Sequence, residues 1–299
     1  MPFEWKGVFP ALLTPFKETD ELDLDMFEKN LAAQAAAGVH GVIIGGSLGE
    51  ASTITEKEKE ELVEFAVEYL NEDIPVIMNI AESTTKDAIR QTENAKRWGA
   101  DGIMLLPPMR YKTDDRETVT YFKAVAHATD LPIMIYNNPV DYKIEVTPDM
   151  FEVLIQCSNI TAVKESTRDV TNVTRLRNRF GDRLKILCGV DTLAMEELCL
   201  GADGWVAGLV DAFPKETVAI YNLVKAGKIA EATKIYRWFM PLLELDIHPK
   251  LVQYIKLAAS QTGIGSEYVR APRLTLTGEE RERVLTIIKK GIETRPYIQ

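Results

Sequence analysis

One lysine stands at the carboxyl end of an apolar segment near the middle of the chain. Lys164 follows the segment 160–163, and no other predicted strand ends on a lysine. Burial disfavours the charged ammonium, so a lysine at such a position has a lowered pKa and a free amine that can condense with a carbonyl. A solvated lysine at a strand end is the alternative, and position alone does not decide between them.

A tyrosine ends the preceding apolar segment in the same way. Tyr136 closes the segment 132–136, and its phenol could pass a proton to or from a carbinolamine on Lys164. A core tyrosine with its hydroxyl at the surface is the alternative. Asn137 and Asn138 are equally typical of a turn before Pro139.

A glycine-rich turn follows an earlier apolar segment and reads Gly45-Gly46-Ser47-Leu48-Gly49-Glu50. Glycines allow backbone N–H groups to converge on an anion such as a carboxylate, and Ser47 adds a hydroxyl. Such turns are common, and the alternative role of Glu50 is to fix the loop.

The elements that must position these residues alternate along the chain. Eight short, almost entirely apolar segments are typical of strands buried on both faces, and each is followed by a helical pattern. Strands are predicted at 8–13, 41–44, 75–80, 102–106, 132–136, 161–164, 184–188 and 204–208, and helices at 25–37, 57–70, 85–98, 116–129, 147–155, 171–180, 193–200 and 214–226. A βα unit of roughly 30 residues repeated eight times predicts an α/β fold, the (β/α)8 TIM barrel.

Glycine-flanked junctions recur where a helix ends and a strand begins, as in Gly99-Ala100-Asp101-Gly102 and Gly201-Ala202-Asp203-Gly204. A doubly wound open sheet is the alternative fold, but it needs a G-x-G-x-x-G loop after an early strand, and the sequence has none. In a barrel the carboxyl ends of the strands share one face, which is where the catalytic residues are expected.

Three more helical segments, at 228–243, 250–262 and 279–290, follow the last predicted strand. We therefore expect a barrel over 1–226 and a C-terminal helical extension over 227–299. Since no Ser-, Gly- or Pro-rich linker separates them, we interpret the chain as a single domain with an extension.

Composition excludes several classes of protein. The 299 residues are 46% hydrophobic and 27% charged, as in globular proteins, and the net charge of −10 is poorly suited to nucleic acid. No uncharged apolar run approaches the length of a membrane span, and residues 1–6 do not resemble a signal peptide. The three cysteines are odd in number and lack C-x-x-C spacing, so we expect a cytoplasmic protein.

Metal and pyridoxal phosphate sites are weakly indicated. The three histidines lie far apart in the sequence, without H-x-H or H-E-x-x-H spacing. Pyridoxal phosphate also uses a lysine, but no convincing phosphate-binding loop follows the seventh and eighth predicted strands.

Five motifs fall together in an order that resembles a known family. They are Gly46-Ser47-Leu48-Gly49-Glu50, Tyr136-Asn137-Asn138-Pro139, Val163-Lys164-Glu165-Ser166, Gly189-x-Asp191 and Gly201-Ala202-x-Gly204. Over essentially its whole length the chain resembles the dihydrodipicolinate synthase / N-acetylneuraminate lyase family.

The resemblance implies a (β/α)8 barrel with C-terminal helices, usually a homotetramer, and class I aldolase chemistry without a metal or organic cofactor. Lys164 would attack the ketone of a small 2-oxo acid such as pyruvate, Tyr136 would relay protons, and the loop at Ser47 would hold the carboxylate. The iminium would then act as an electron sink. We expect substrate contacts from Gly46, Leu48, Gly49, Arg110, Asn138, Asp141, Gly189 and Val206.

Three positions depart from the pattern usual in dihydrodipicolinate synthases. Leu48 replaces the second of two adjacent hydroxyl residues, and Arg110 fills the place of a tyrosine after the fourth strand. Asp141 stands where an arginine usually binds the carboxylate of the semialdehyde, and an aspartate there would repel an anionic second substrate. Asp141 could instead face solvent.

Two later segments, 236–243 and 271–274, resemble a subgroup linked to hydroxyproline or sugar-acid breakdown. The favoured interpretation is a 1-pyrroline-4-hydroxy-2-carboxylate deaminase. The alternatives are a 2-keto-3-deoxy sugar-acid dehydratase or aldolase, a 4-hydroxy-tetrahydrodipicolinate synthase or N-acetylneuraminate lyase, and a non-catalytic binding barrel. Lys164, Tyr136 and Ser47 argue against the last.

Overall fold

Eight parallel strands form the centre of the computed structural model, which describes residues 3–108 and 111–298. The strands are β1 (Gly7–Pro10), β2 (Val42–Ile44), β3 (Val76–Ile80), β4 (Gly102–Leu105), β5 (Ile133–Asn137), β6 (Ile160–Glu165), β7 (Lys185–Cys188) and β8 (Gly204–Ala207). Their order is β1-β8-β7-β6-β5-β4-β3-β2, and one parallel bridge between Ala11 and Ile43 joins the two ends of the sheet. The predicted (β/α)8 barrel is confirmed.

Helices alternate with the strands around the barrel. They are α1 (Leu24–Ala37), α2 (Glu56–Leu70), α3 (Thr85–Arg97), α4 (Asp115–His127), α5 (Pro139–Tyr142), α6 (Pro148–Leu154), α7 (Thr171–Phe180), α8 (Ala194–Cys199) and α9 (Pro214–Lys225), followed by α10 (Ile229–Leu243), α11 (Leu251–Gln261) and α12 (Gly278–Glu293). A capping box begins α2: the Thr55 hydroxyl accepts from the Glu58 backbone N–H, and the Glu58 carboxylate accepts from the Thr55 backbone N–H.

The structure contains a short helix, α5, that the sequence did not predict. It begins at Asn138, whose side-chain oxygen accepts from the backbone N–H of Asp141 at 3.1 Å, and Pro139 occupies its first turn. Asparagine and proline favour such a start, because the asparagine side chain caps the first turn and proline has its φ preset. The helix carries Tyr142 back over the end of β5.

A buried ion pair joins the C-terminal helices to the glycine-rich loop. Lys256 of α11 lies 2.5 Å from a carboxylate oxygen of Glu50, and the two side chains are 1% and 0% exposed. The same ammonium donates to the carbonyl of Tyr268 at 2.6 Å, and the Arg270 backbone N–H donates to Glu50 at 3.1 Å. Glu50 therefore fixes the loop, as the alternative reading of its role requires.

No helix in the described parts of the chain is long and apolar enough to cross a lipid bilayer. The three cysteines are unpaired, with Cys157 and Cys188 buried and Cys199 exposed.

Candidate active site

A cavity of about 520 Å³ opens at the carboxyl ends of the strands. Nine of the residues predicted from the sequence line it: Gly46, Ser47, Leu48, Tyr136, Asn138, Asp141, Lys164, Gly189 and Val206. Residues from distant parts of the chain meet there because parallel strands of a closed barrel all end on the same face.

Lys164 lies near the end of β6 with 7% of its surface exposed. Its Nζ sits 4.1 Å from the centre of the Tyr136 ring, and within the described residues no carboxylate lies at ion-pair distance from it. Burial lowers the pKa of Lys164, and the neighbouring acidic groups, Tyr142 and Asp246 first among them, only partly oppose this effect. The amine is therefore more readily deprotonated than that of an exposed lysine.

The Lys164 side chain passes directly over Gly189, the residue after β7. A Cβ atom at position 189 would lie 2.7 Å from Cε and Cγ of Lys164 and 2.1 Å from the Ser166 hydroxyl. Any side chain there would displace the lysine. Gly189 thus supplies the groove along which Lys164 reaches the cavity.

Tyr136, Asn138 and Asp141 form a hydrogen-bonded row across the end of β5. The amide nitrogen of Asn138 donates to the Tyr136 hydroxyl at 3.1 Å and to the Asp141 carboxylate at 2.7 Å. Burial raises the pKa of Tyr136 to about 12, so the phenol is protonated at neutral pH. Asp141 lies at the rim, where it lines the cavity and is also exposed to solvent.

Ser47 makes a contact that the sequence did not indicate. Its hydroxyl lies 2.9 Å from the hydroxyl of Tyr142, whose ring meets Tyr136 edge-on with centroids 5.5 Å apart. Burial raises the pKa of Tyr142 to about 12. Sequence reasoning missed Tyr142; the Asn138-Pro139 helix start is the signal that would have placed it near the site.

Two further carboxyl groups lie beyond Lys164. The buried side chain of Asp191 accepts hydrogen bonds from the indole of Trp205 at 2.9 Å and from the backbone N–H groups of Gly208 and Leu209. Asp246, in the 3-10 turn Glu244–Ile247, reaches the cavity across Gly208, where a Cβ atom would lie 2.5 Å from its Oδ1. Asp246 was also missed, because it belongs to the C-terminal extension rather than to a strand end.

Burial and the neighbouring charge of Asp191 raise the pKa of Asp246 well above its ordinary range. Burial raises the pKa of Asp191 as well, although its N–H donors oppose the shift.

One predicted contact does not lie on the cavity wall. Gly49 packs against the barrel: its carbonyl accepts from the Thr14 hydroxyl at 2.7 Å, and a Cβ there would lie 3.0 Å from the Leu12 carbonyl. Arg110 lies outside the described residues. Leu48, in contrast, is buried on the wall beside Gly208.

Histidine, cysteine and carboxylate side chains in the described chain form no group of three or more suited to a metal ion. The absence of a cofactor remains an expectation.

Comparisons with known proteins agree on one family. A model described as the dihydrodipicolinate synthetase family matches residues 4–291. A 4-hydroxy-tetrahydrodipicolinate synthase of Exiguobacterium sibiricum is 35% identical over 91% of this chain and 92% of its own. One of Methanothrix thermoacetophila is 31% identical over 96% and 97%, respectively.

Solved structures agree with these matches. The dihydrodipicolinate synthase of Aquifex aeolicus superposes with a TM-score of 0.91 at 30% identity, covering 96% of this chain and 98% of its own. A dihydrodipicolinate synthase variant described as monomeric has a TM-score of 0.91 at 25% identity, over 96% of each chain. The predicted homotetramer thus stays a prediction.

Proposed function

Because the chain belongs to the dihydrodipicolinate synthetase family, we propose that it is a Schiff-base lyase in which Lys164 condenses with the 2-oxo or 2-imino carbon of a small carboxylic acid. Its buried position and lowered pKa support Lys164 as the nucleophile. The imine itself withdraws electrons, so this chemistry needs no metal or organic cofactor.

Tyr136 and the glycine-rich loop take complementary roles. The protonated phenol of Tyr136 lies beside Lys164 and carries protons to and from the carbinolamine. The Ser47 hydroxyl and the backbone of the loop hold the substrate carboxylate. Tyr142, hydrogen-bonded to Ser47, supplies a second hydroxyl at the same end of the cavity.

The substrate assignment rests on two acidic residues of the cavity, Asp141 and Asp246, which together form its acidic wall. Asp141 and Asp246 both line the space beyond Lys164, and of the described arginines Arg168 alone lines it, at the exposed rim. The Asp141 carboxylate repels the distal carboxylate of a second anionic substrate, and both side chains suit a hydroxyl or amino group. We therefore favour elimination from a hydroxylated substrate, with 1-pyrroline-4-hydroxy-2-carboxylate as the best candidate.

The proposed reaction of 1-pyrroline-4-hydroxy-2-carboxylate begins at the imine carbon C2. Lys164 attacks C2 and displaces the ring nitrogen, which opens the ring to a 5-amino-4-hydroxy iminium. Loss of a C3 proton and departure of the C4 hydroxyl as water give an unsaturated iminium. Proton transfers from C5 and its amino group to C3 and C4 then convert the allylic amine into an imine at C5. Two water molecules hydrolyse the two imines, which releases Lys164 and ammonia and leaves 2,5-dioxopentanoate. A 2-keto-3-deoxy sugar acid would lose its C4 hydroxyl by the same elimination.

A second candidate is 4-hydroxy-tetrahydrodipicolinate synthase, which the names of the relatives favour. The test is a substrate panel with products identified by mass spectrometry: pyruvate with aspartate semialdehyde, 1-pyrroline-4-hydroxy-2-carboxylate, and 2-keto-3-deoxy sugar acids. We expect ammonia and 2,5-dioxopentanoate from the pyrroline. Efficient condensation of pyruvate with the semialdehyde would establish the second candidate instead.

A pair of variants tests the acidic wall. Asp141→Arg combined with Leu48→Thr restores the residue types usual in synthases and should abolish most activity on the hydroxylated substrate. Glu145→Arg is the control, because it makes the same change of charge at an exposed position outside the cavity. Unchanged activity of the double variant would show that these positions do not set specificity.

A further inference from the structure

Two carboxyl groups in this site have unequal surroundings. Asp191 is 1% exposed, and three N–H groups, from Trp205, Gly208 and Leu209, stabilise its negative charge. Asp246 faces the backbone N–H of Asp191 and, with it, the charge of the same residue. When two carboxyl groups interact in a poorly solvated site, the one with fewer donors takes the proton. Of the two, Asp246 therefore takes a proton more readily than Asp191.

Asp246 is also close to the reacting groups. It lines the same cavity as Lys164 and Tyr136, and Gly208 leaves open the path by which it enters. The turn Glu244–Ile247 that carries it lies at the cavity mouth, where Ile247 and His248 also line the wall.

The proposed elimination needs an acid at this place. Hydroxide is a poor leaving group, so the C4–O bond breaks readily only if the oxygen receives a proton as it leaves. Lys164 is tied up as the iminium, and Tyr136 serves the carbinolamine and the C3 proton. A separate acid must therefore serve C4, which lies two bonds beyond C2, the carbon that Lys164 binds.

We propose that Asp246 is the general acid of the elimination and donates its proton to the hydroxyl leaving C4. The electron pair of the C2–C3 enamine forms the C3–C4 double bond, the C4–O bond breaks, and water departs. The Asp246 carboxylate then regains a proton from solvent at the cavity mouth. This assignment rests on the proposed function and extends it to the leaving group.

The test compares leaving groups in Asp246→Asn. With 1-pyrroline-4-hydroxy-2-carboxylate, kcat should fall about 10²- to 10⁴-fold, the usual contribution of a positioned acid. With the analogue that carries chlorine instead of the hydroxyl, kcat should fall less than about tenfold, because chloride leaves without a proton. Asp246→Glu should recover part of the activity on the hydroxyl substrate.

Two controls separate the outcomes. Glu244→Gln removes an exposed carboxylate from the same turn and should change neither rate. Borohydride trapping of pyruvate on Lys164 should persist in Asp246→Asn, which reports an intact site. Equal losses with both leaving groups, or no loss with either, would overturn the role of Asp246 alone. A wild-type enzyme that traps pyruvate but eliminates neither group would overturn the proposed function itself.

Discussion

Two buried lysines of this protein lie in different regions and have different consequences. Lys164 projects into the cavity and Lys256 lies in the contact between α11 and the glycine-rich loop; they are 7% and 1% exposed. Each ammonium lies over an aromatic ring, 4.1 Å from the centre of Tyr136 and 4.5 Å from that of Phe16. Burial and an aromatic neighbour are therefore common to both.

The two lysines differ in the groups that contact their ammonium nitrogens. Lys256 is held by the Glu50 carboxylate and the Tyr268 carbonyl, whereas Lys164 has open space before it. Burial lowers the pKa of Lys256 to about 8, but the Glu50 carboxylate opposes this shift and holds the ammonium in place, which makes Lys256 structural. Burial alone therefore does not distinguish the two lysines. Lys164 is free to react because no carboxylate of the described residues lies at ion-pair distance from it.

The largest expected effect comes from Lys164→Met. Turnover should fall below detection, because no amine remains to form the imine. Stability should equal or exceed that of the wild type, since an unpaired buried ammonium is removed. Mass spectrometry after borohydride reduction with pyruvate, together with urea unfolding, measures both. Labelling of Lys256 in the wild type would show that Lys256, and not Lys164, is the reactive lysine.

Tyr136→Phe separates the ring from the hydroxyl. The ring contact with Lys164 remains, so KM should change little, while kcat should fall about 10²- to 10⁴-fold through loss of the proton relay. Steady-state kinetics provide the measurement. The control is Tyr121→Phe, which removes a buried hydroxyl that has no partner among the described residues. An unchanged kcat in Tyr136→Phe would make that tyrosine structural.

Lys256→Met should act on stability instead of chemistry. Removing Lys256 leaves the buried Glu50 carboxylate with Arg273, at 3.5 Å, as its remaining cationic partner. The loss of the closer partner should cost up to about 3–5 kcal/mol of unfolding free energy. Borohydride trapping at Lys164 should persist in the folded fraction. Adding Glu50→Gln should restore part of the loss in urea unfolding. Wild-type stability of the single variant would show that Lys256 and Glu50 are not energetically coupled.

The smallest effect is a dependence of stability on pH. Burial lowers the pKa of Lys164 below its ordinary 10.5, so between the two values the unfolded chain binds more protons than the folded one. Wild-type stability should therefore rise with pH across that window relative to Lys164→Met. Unfolding free energies of both proteins at several pH values up to 10.5 test this. Parallel curves would mean that the pKa of Lys164 is not lowered.

The barrel could be predicted because its strands are buried on both faces and appear as separate apolar segments. Lys164, Tyr136 and Ser47 could be predicted for the same reason, since the strand ends of such a barrel converge. Tyr142 and Asp246 could not, because each reaches the cavity from a short turn whose direction depends on tertiary packing. Gly49 was predicted to contact the substrate because it lies in the glycine-rich motif. In the structure its backbone instead packs on Thr14 and Leu12.

The contact between Glu50 and Lys256 also bears on how the protein is made. Glu50 belongs to an early loop, yet its partners lie at Lys256, Arg270 and Arg273, more than 200 residues later. Chains fold from the amino terminus as they leave the ribosome. The eight strands emerge first, and the glycine-rich loop gains these partners only when the segment from Lys256 to Arg273 has been synthesised. Lys164 is therefore synthesised before the C-terminal residues that fix the glycine-rich loop beside it, and the last helices complete the surroundings of a lysine that the barrel already carries.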